Sequence, residues 1–494
     1  MPDIFDTHPN YDKNRAQWQQ IRDQMDGEET VKDAGALYLP FPVSLPIQIT
    51  ESDEFKQQYG IYLQGAAYVN FTLQAVEDLV ASVFSRDPII DESFPEDLEY
   101  LDLPKTSKDL CSVLVAYGRG LLLVEYPVVE FPVSRSDEAE MEIAAYYSVY
   151  DPLEVINWRT ARQGGVTKLT KVVIATRELN EENEFEDVYI EMSILEGIYT
   201  IQKYNEDGDP VGAPLIPKAS GAPLNYIPAT FVGVQSNDSK VDPSPVMGIA
   251  NTSLKHYQNT AELQHVIHYI GHPMLSITGA PLGFVDAMNT PNEDGSTKRI
   301  SVGASQAVVI EGESGKTELL QISSDVVHFK QLEQLEKSMA EQGYRIKTDQ
   351  KSGVESAKSL TIRASGSTSK LSSIATQVEN AIKDSMKFIN DYMGTSVPDD
   401  FQFDLVKNYL QLEPDSQLLS TLDGFVNSGR IPDYILYDYM VEVELLDEDV
   451  DYDQLREDSE ALDVGLEFNP QTGAPNENPE NPIGGKPSGK EDDA

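Results

Sequence analysis

The chain has 494 residues, with 37 Lys and Arg against 83 Asp and Glu, and a formal net charge of −46 at pH 7. This charge argues against stable nucleic-acid binding, which needs clustered Lys and Arg, but it allows brief contact with DNA. The length predicts about three domains, and a hydrophobic content of 40% excludes a chain that is disordered as a whole.

The cysteine content and the apolar runs exclude further classes. Cys111 is the only cysteine, so an intrachain disulfide and a Cys-based zinc site within one chain are excluded. The first residues, MPDIFDTHPNYDKN, have neither the basic region nor the apolar core of a secretory signal. The apolar runs are too short to span a bilayer, and we expect a cytoplasmic protein wherever it is made.

The first half of the chain predicts an arm followed by an α+β domain. Residues 1–50 are predicted as an extended N-terminal arm, because prolines at 40, 42 and 46 disfavour a helix there. Trp18, Ile21 and Met25 could nevertheless share one helix face. Residues 51–243 begin with apolar residues at helical spacing, and Pro88 ends this pattern. SKDLCSVLVAY then predicts a buried helix, and strand-like runs such as LLLVEYP and AAYYSVY follow.

One interval of this α+β domain is a basic island. From Ile156 to Arg177 the chain has no acid, and it carries Arg159, Arg162, Lys168, Lys171 and Arg177. Two interpretations stay open, a solvated strand face and a contact between subunits.

The pattern in the centre of the chain predicts a helix, an insert and a second helix. Residues 244–272 predict a first long helix, residues 273–324 a small strand-rich insert, and residues 325–346 a second long helix. Residues 347–358 lack apolar periodicity and predict a mobile loop. From Tyr344 to Ser372 there are six bases and two acids, a local excess of positive charge. Residues 359–412 predict a returning amphipathic helix and a strand at FQFDLV.

The C-terminal part is more acidic. Residues 413–465 predict helical pieces around Ser416–Asn427, Ile435–Glu442 and Asp453–Ala461. Residues 466–494 have the Pro, Asn, Gly and charge content of a disordered tail.

No motif for catalysis or metal binding is complete. Gly315, Lys316 and Thr317 match the end of a P-loop, but Ile310 stands where the first glycine belongs, and EGESGK fits the turn of a β-hairpin better. Four histidines on the first long helix lack the zincin pattern, and DEDVDYD lacks the central glycine of a calcium loop. We expect no catalytic residue, cofactor or metal. The histidines concerned are His256, His265, His268 and His272.

Four stretches in this order resemble the portal (head–tail connector) proteins of tailed bacteriophages. YGIYLQGAAYVNFTLQAVEDLVASVFSRDP is similar to an early portal helix, and AYGRGLLLVEYP with YYSVYDPLEVINWR resembles the wing domain. The helix, small β insert and second helix match stem, clip and stem. ESAKSLTIRASGSTSKLSSIATQVENAIKDSMKFINDYMG resembles the helix after the tunnel loop. The likeness covers roughly residues 10–395, and the acidic region would take the place of the crown.

The resemblance implies an α+β subunit of a ring, by analogy a homododecamer at one capsid vertex. The wing, the long-helix stem, the β-rich clip and the helical C-terminal crown would be its parts. DNA would enter and leave through the channel as a transient double-stranded partner. The implied protein partners are the terminase large subunit, the neck or adaptor protein, and the major capsid and scaffolding proteins. The implied location is the virion, with the host cytoplasm during assembly, and neither membrane contact nor enzyme activity is implied.

Two sets of residues follow from this interpretation. The tunnel loop would touch DNA through Arg345, Lys347, Lys351 and Lys358. The clip would contact terminase and adaptor through Lys298, Arg299, Glu311, Glu313 and Lys316.

Two alternatives from other classes remain. The first is a P-loop or metal-dependent packaging enzyme, and the second is another capsid-associated structural protein. An apolar strand ending in Asp-Glu after Thr317 would favour the ATPase, and the sequence has no convincing one.

Overall fold

The computed structural model describes residues 4–41, 52–91, 94–127, 143–180, 182–219, 221–271, 274–280, 282–283, 308–311, 316–320, 326–347, 370–395, 397–398, 401–407, 416–442, 445–446, 452 and 455. The fold mixes helices and sheets, which confirms the α+β class. The chain divides into two compact units, Met1–Tyr409 and Leu410–Ala494.

The described helices are α1 (Pro9–Asp26), α2 (Glu28–Asp33), α3 (Asp53–Gly65), α4 (Phe71–Val83), α5 (Leu103–Tyr117), α6 (Met247–Gly271), α7 (Val326–Lys347), α8 (Lys370–Met393), α9 (Ser416–Asn427) and α10 (Tyr434–Glu442). Side chains cap several of them. The Ser52 hydroxyl accepts from the Phe55 N–H, and the Asn70 and Asp102 side chains cap α4 and α5. The sequence predicts one helix over residues 51–86. The structure has two, α3 and α4, because Asn70 caps the start of a new helix.

The extended arm predicted for residues 1–50 is wrong over its described part. Helix α1 begins directly after His8, with proline in its first turn, and buries Trp18 and Ile21 in the main core. Helix α2 follows after Gly27. The apolar spacing of Trp18, Ile21 and Met25 therefore decides the structure of this region, and the proline-rich residues 42–50 lie outside the described residues.

The strands are β1 (Ile89–Ile90), β2 (Arg119–Glu125), β3 (Tyr146–Tyr150), β4 (Val155–Gln163), β5 (Val166–Leu179), β6 (Phe185–Leu195), β7 (Ile198–Tyr204), β8 (Pro210–Leu215), β9 (Lys218–Ala219), β10 (Ala222–Pro223), β11 (Ala229–Gly233), β12 (Met274–Ala280), β13 (Val308–Glu311), β14 (Lys316–Leu320) and β15 (Phe403–Asp404). Strands β4 to β8 form a five-stranded antiparallel meander, and β11-β2-β3 forms a second antiparallel sheet. The predicted helix 107–117 and strands are confirmed as α5, β2 and β3.

The main core joins both of these sheets to helices α5 and α8. Leu114 of α5, Leu121 of β2, Val172 of β5 and Ile374 of α8 are all fully buried. Along α8 the buried residues recur at the predicted helical spacing, from Leu371 to Ile389, so this part of the returning helix is confirmed.

The small sheet between α6 and α7 corrects one prediction. Strand β12 lies in its middle, parallel to β13 and antiparallel to β14. Strands β13 and β14 are therefore not paired with each other, and EGESGK is not the turn of a β-hairpin. Because β12 lies between them, β13 and β14 occupy opposite edges of this sheet.

The C-terminal unit contains α9 and α10, which confirms the helical pieces predicted near 416–427 and 435–442. The predicted piece at 453–461 falls almost wholly outside the described residues, and the predicted tail 466–494 falls fully outside them. No helix in the described ranges combines the length and the apolarity needed to cross a membrane.

Candidate functional site

Helices α6 and α7 form an antiparallel pair. The Gln342 amide donates to the Thr252 hydroxyl at 3.3 Å, and His256 Nε2 lies 3.2 Å from Glu336 Oε1. Near the start of α6, a Cβ on Gly248 would lie 2.4 Å from Gln342 Oε1. Residues near the start of α6 therefore contact residues near the end of α7. Gly248 allows the two helices to approach closely, because it has no side chain.

The pair carries the small sheet at its far end. Helix α6 has 25 residues and α7 has 22, which at 1.5 Å per residue gives lengths of about 37 and 33 Å. Strand β12 begins three residues after α6 ends, and α7 begins six residues after β14 ends. The order predicted from the sequence, helix, strand-rich insert and helix, is therefore present.

Burial differs between the two ends of the pair. Ile249 and Tyr257 on α6, with Met339 and Ile346 on α7, are buried in the cores of the chain. Towards the small sheet, Ile267 is 42% exposed and Phe329 is 56% exposed. The outer half of the pair thus presents apolar side chains that this chain alone leaves open to solvent.

The two ends of the basic segment are anchored in the core. At the end of α7, Arg345 is exposed and the next residue, Ile346, is buried. At the start of α8, Lys370 is exposed and Leu371 is fully buried. Helix α8 is held further by the buried Glu379, which accepts from the Leu405 N–H at 2.7 Å. Of the predicted tunnel-loop residues, Lys351 and Lys358 lie outside the described residues, as does the Lys347 side chain.

The predicted clip residues are only partly covered. Glu311 ends β13 and Lys316 begins β14, where it pairs with Thr278 of β12. Lys298, Arg299 and Glu313 lie outside the described residues. A P-loop needs a helix directly after its GK[ST] ending, so that the helix N-terminus faces the phosphates. Because Lys316 and Thr317 lie in a strand instead, this geometry does not support nucleotide binding.

The histidines of α6 serve structural contacts. His256 lies against Glu336, and the His265 ring packs edge-on against Tyr62 at 5.4 Å. His272 and the His268 side chain lie outside the described residues, as do the carboxylates of DEDVDYD. Within the described ranges, no three His, Cys, Asp or Glu side chains are grouped to hold a metal ion.

Two buried side chains, Cys111 and Arg119, have pKa values far from their usual range. Burial raises the pKa of Cys111 to about 12, so this thiol is not activated as a nucleophile. The Arg119 guanidinium lies 4.0 Å from the ring centres of Trp158 and Phe231, and burial lowers its pKa to about 9. Arg119 joins β2, β4 and β11 through cation–π contacts, a role that its position before the apolar run LLLVE does not reveal.

The bases of the basic island, residues 156–177, are of two kinds: some pair with acids, and others are exposed near a turn. Lys171 pairs with Glu191 at 3.1 Å, and Arg177 pairs with Asp187 at 2.9 Å. Arg159, Arg162 and Lys168 are exposed near the β4–β5 turn. Strand register decides which bases are neutralised, because both acidic partners lie on β6.

Comparison with protein families gives a match in the centre of the chain. Residues 245–393 match the model of a family described as a domain of unknown function (DUF4055). The match spans α6, the small sheet, α7 and α8, less than a third of the chain. No curated protein matches the sequence. The chain is thus similar to this family over the helix pair, its sheet and the returning helix.

Proposed function

We propose that this chain is a portal protein, the subunit of a ring at one capsid vertex through which a viral genome is packaged and ejected. The observation that carries the proposal is the antiparallel α6–α7 pair, which bears a small sheet at its far end and is followed by α8 in the core. In this assignment α6 and α7 are the stem, the small sheet is the clip, and the domain around β2 to β11 is the wing.

The exposed outer half of the helix pair supports assembly. A closed ring needs heterologous contacts, in which one face of a subunit meets a different face of the next. Side-by-side packing of α6–α7 pairs would cover Ile267 and Phe329, which are 42% and 56% exposed in the single chain. By the resemblance, the ring is a dodecamer.

The charge distribution supports a channel for DNA. Duplex DNA carries about one charge per 1.7 Å, and charges are screened over roughly 8 Å at physiological salt. A wall drawn from a chain of net charge −46 would keep DNA from adhering. The basic segment between Tyr344 and Ser372 would supply transient contacts, with Lys347 and Lys351 nearest the DNA.

The small sheet is the proposed docking site for terminase during packaging and for the neck or adaptor protein afterwards. Charge reversal of Glu311, Glu313 and Lys316 keeps the full length of the connection between β13 and β14. It should weaken binding of these partners in a pull-down while leaving the subunit folded. Undiminished binding by this triple variant would clear these three side chains of the role. In this proposal the protein performs no chemistry itself and resides in the virion, after assembly in the host cytoplasm.

Native mass measurement of the purified full chain tests the proposal. Twelve copies of the 54.8 kDa chain give about 660 kDa in a closed ring. A monomer or dimer that binds ATP or a divalent metal on titration would favour the packaging enzyme instead.

A further inference from the structure

The five-stranded sheet has a two-stranded arm at each end of β5. At one end, Thr160–Gln163 of β4 pair with Val166–Leu169 of β5, beyond the β5–β6 pairing that begins at Lys171. At the other end, Thr176–Leu179 of β5 pair with residues 185–188 of β6, beyond the last β4 pair at Ile174. We name these the β4–β5 arm and the β5–β6 arm.

The β4–β5 arm is cationic. Between Arg159 and Lys171 the sequence has four bases and no acid. Arg162 and Lys168 are exposed, and neither side chain has a hydrogen bond or ion pair among the described residues. The turn between them is Gly164-Gly165, with φ of 59° and 89°, as a two-residue type I′ turn requires. Exposed Leu195 and Ile198 flank the β6–β7 turn at this same end of the sheet.

The β5–β6 arm is acidic and also carries an apolar pair. Between Arg177 and Asp187 the sequence has six acids and one base. Leu179 and Phe185 face each other across the two strands and are 59% and 71% exposed. The Asn180 side chain accepts from the backbone N–H groups of Glu182 and Glu184 at 2.9 Å, which holds these two residues of the turn in place. An exposed apolar pair ringed by carboxylates is a typical contact surface.

The two arms are too far apart to neutralise each other within one chain. Strand β5 has 14 residues, which at 3.4 Å per residue makes it about 48 Å long. This length is several times the screening length of roughly 8 Å at physiological salt. The opposite charges are therefore available to a partner that presents both signs at matching positions.

We propose that the β4–β5 arm of one copy docks on the β5–β6 arm of the next copy, as the two unlike halves of a head-to-tail interface. This inference rests on the proposed ring, since it names the surfaces through which the wing domains would join. Contacts of this kind are heterologous and have no two-fold axis at the interface, because each copy contributes one arm of each sign, and they can repeat until a ring closes. The partner is a second copy of this chain, recognised by Arg and Lys against Glu and by apolar side chains on both surfaces.

Charge reversal in full-length protein tests the inference. The variants are R162E/K168E, E182K/E184K and, as a control with two reversals outside the sheet, K13E/K56E, all at exposed positions. Each arm variant should raise the concentration at half-assembly at least about tenfold, because the substituted positions would then repel the other arm instead of attracting it. The control should assemble as the unaltered chain does, and circular dichroism should show all variants folded.

Rescue makes the test specific to a head-to-tail contact. An equimolar mixture of R162E/K168E and E182K/E184K should assemble, because the substituted positions of one variant then meet substituted positions of opposite charge on the other. The chain carrying all four substitutions should assemble alone for the same reason. Raising the salt concentration from 0.15 to 1 M should weaken assembly of the unaltered chain, as the screening length falls from about 8 to 3 Å.

Other outcomes overturn the inference in distinguishable ways. Arm variants that assemble like the unaltered chain would refute it and leave the proposed ring standing, and so would a control that is equally impaired. An R162E/K168E variant that assembles normally but loses binding to duplex DNA would assign the β4–β5 arm to nucleic acid instead. An unaltered chain that stays monomeric at all concentrations would overturn both the inference and the ring.

Discussion

Replacement of Gly118 by Ala should be among the most destabilising single-atom additions to the core. Gly118 ends α5 with φ of +81°, and its N–H donates to the Leu114 carbonyl at 2.9 Å. An added Cβ would lie 2.8 Å from the backbone of Asp242 and Pro243, just before α6 begins. That backbone cannot yield easily, because the Asp242 carboxylate accepts from the Gln235 N–H at 2.8 Å.

The magnitude has two parts. A non-glycine residue in the left-handed region costs about 1–2 kcal/mol, and forced backbone shifts in a packed region cost about 1–3 kcal/mol more. We therefore expect Gly118→Ala to lower the free energy of unfolding by about 2–5 kcal/mol. Gly197→Ala is the matched control, because Gly197 has φ of +82° with no atom within 4 Å of the added Cβ. Gly197→Ala should lower the free energy of unfolding only by the cost of the left-handed conformation, about 1–2 kcal/mol.

Urea unfolding of both variants, followed by circular dichroism with equal slopes, measures the difference. If Gly118→Ala is no more destabilising than Gly197→Ala, the close approach of α5 and the start of α6 is not as described.

Three further predictions concern single side chains, and a fourth concerns a pair of lysines. Cys111 should react with iodoacetamide at pH 8 only after unfolding, as measured by mass spectrometry, because burial raises its pKa to about 12. Burial lowers the pKa of His8 below 6.5, so the stability from its neutral form is complete above pH 6.5 and is lost as the pH falls towards the lowered pKa. The loss between pH 7.5 and 5, followed by urea unfolding, should be smaller in His8→Gln, and an equal loss would contradict this origin. Glu379→Ala should lower the free energy of unfolding by about 1.5–3 kcal/mol, because a buried carboxylate that accepts a backbone N–H at 2.7 Å is removed. Lys347→Ala with Lys351→Ala should spare assembly but impair DNA packaging or retention, and normal packaged length with normal retention would refute the tunnel-loop assignment.

Local sequence signals predicted the elements that depend on a single amphipathic stripe. Helix α8 shows apolar residues at steps of three and four from Leu371 to Ile389, and these residues are buried as expected. The boundaries of α9 agree with the sequence as well. The predicted extended arm is wrong because prolines restrict only their own neighbourhood after residue 39, whereas the helical spacing of Trp18 and Ile21 lets α1 bury both side chains in the core.

Pairing between distant segments could not be predicted in the same way. Nothing local to EGESGK shows that β12, about 30 residues earlier, lies between β13 and β14. Likewise, the basic island was visible in the sequence, but the register with β6 decides which of its bases are neutralised. To predict that the two arms carry opposite charges at separate ends of the sheet, one has to know both the register and the length of β5.

Electron microscopy of the purified assembly tests the central claim most directly. The portal assignment predicts a closed ring with a central channel, with α6–α7 pairs packed side by side around it and the predicted tunnel loop, residues 347–358, facing the channel. A particle without a channel, or one in which the α6–α7 pairs lie apart from one another, would contradict the assignment.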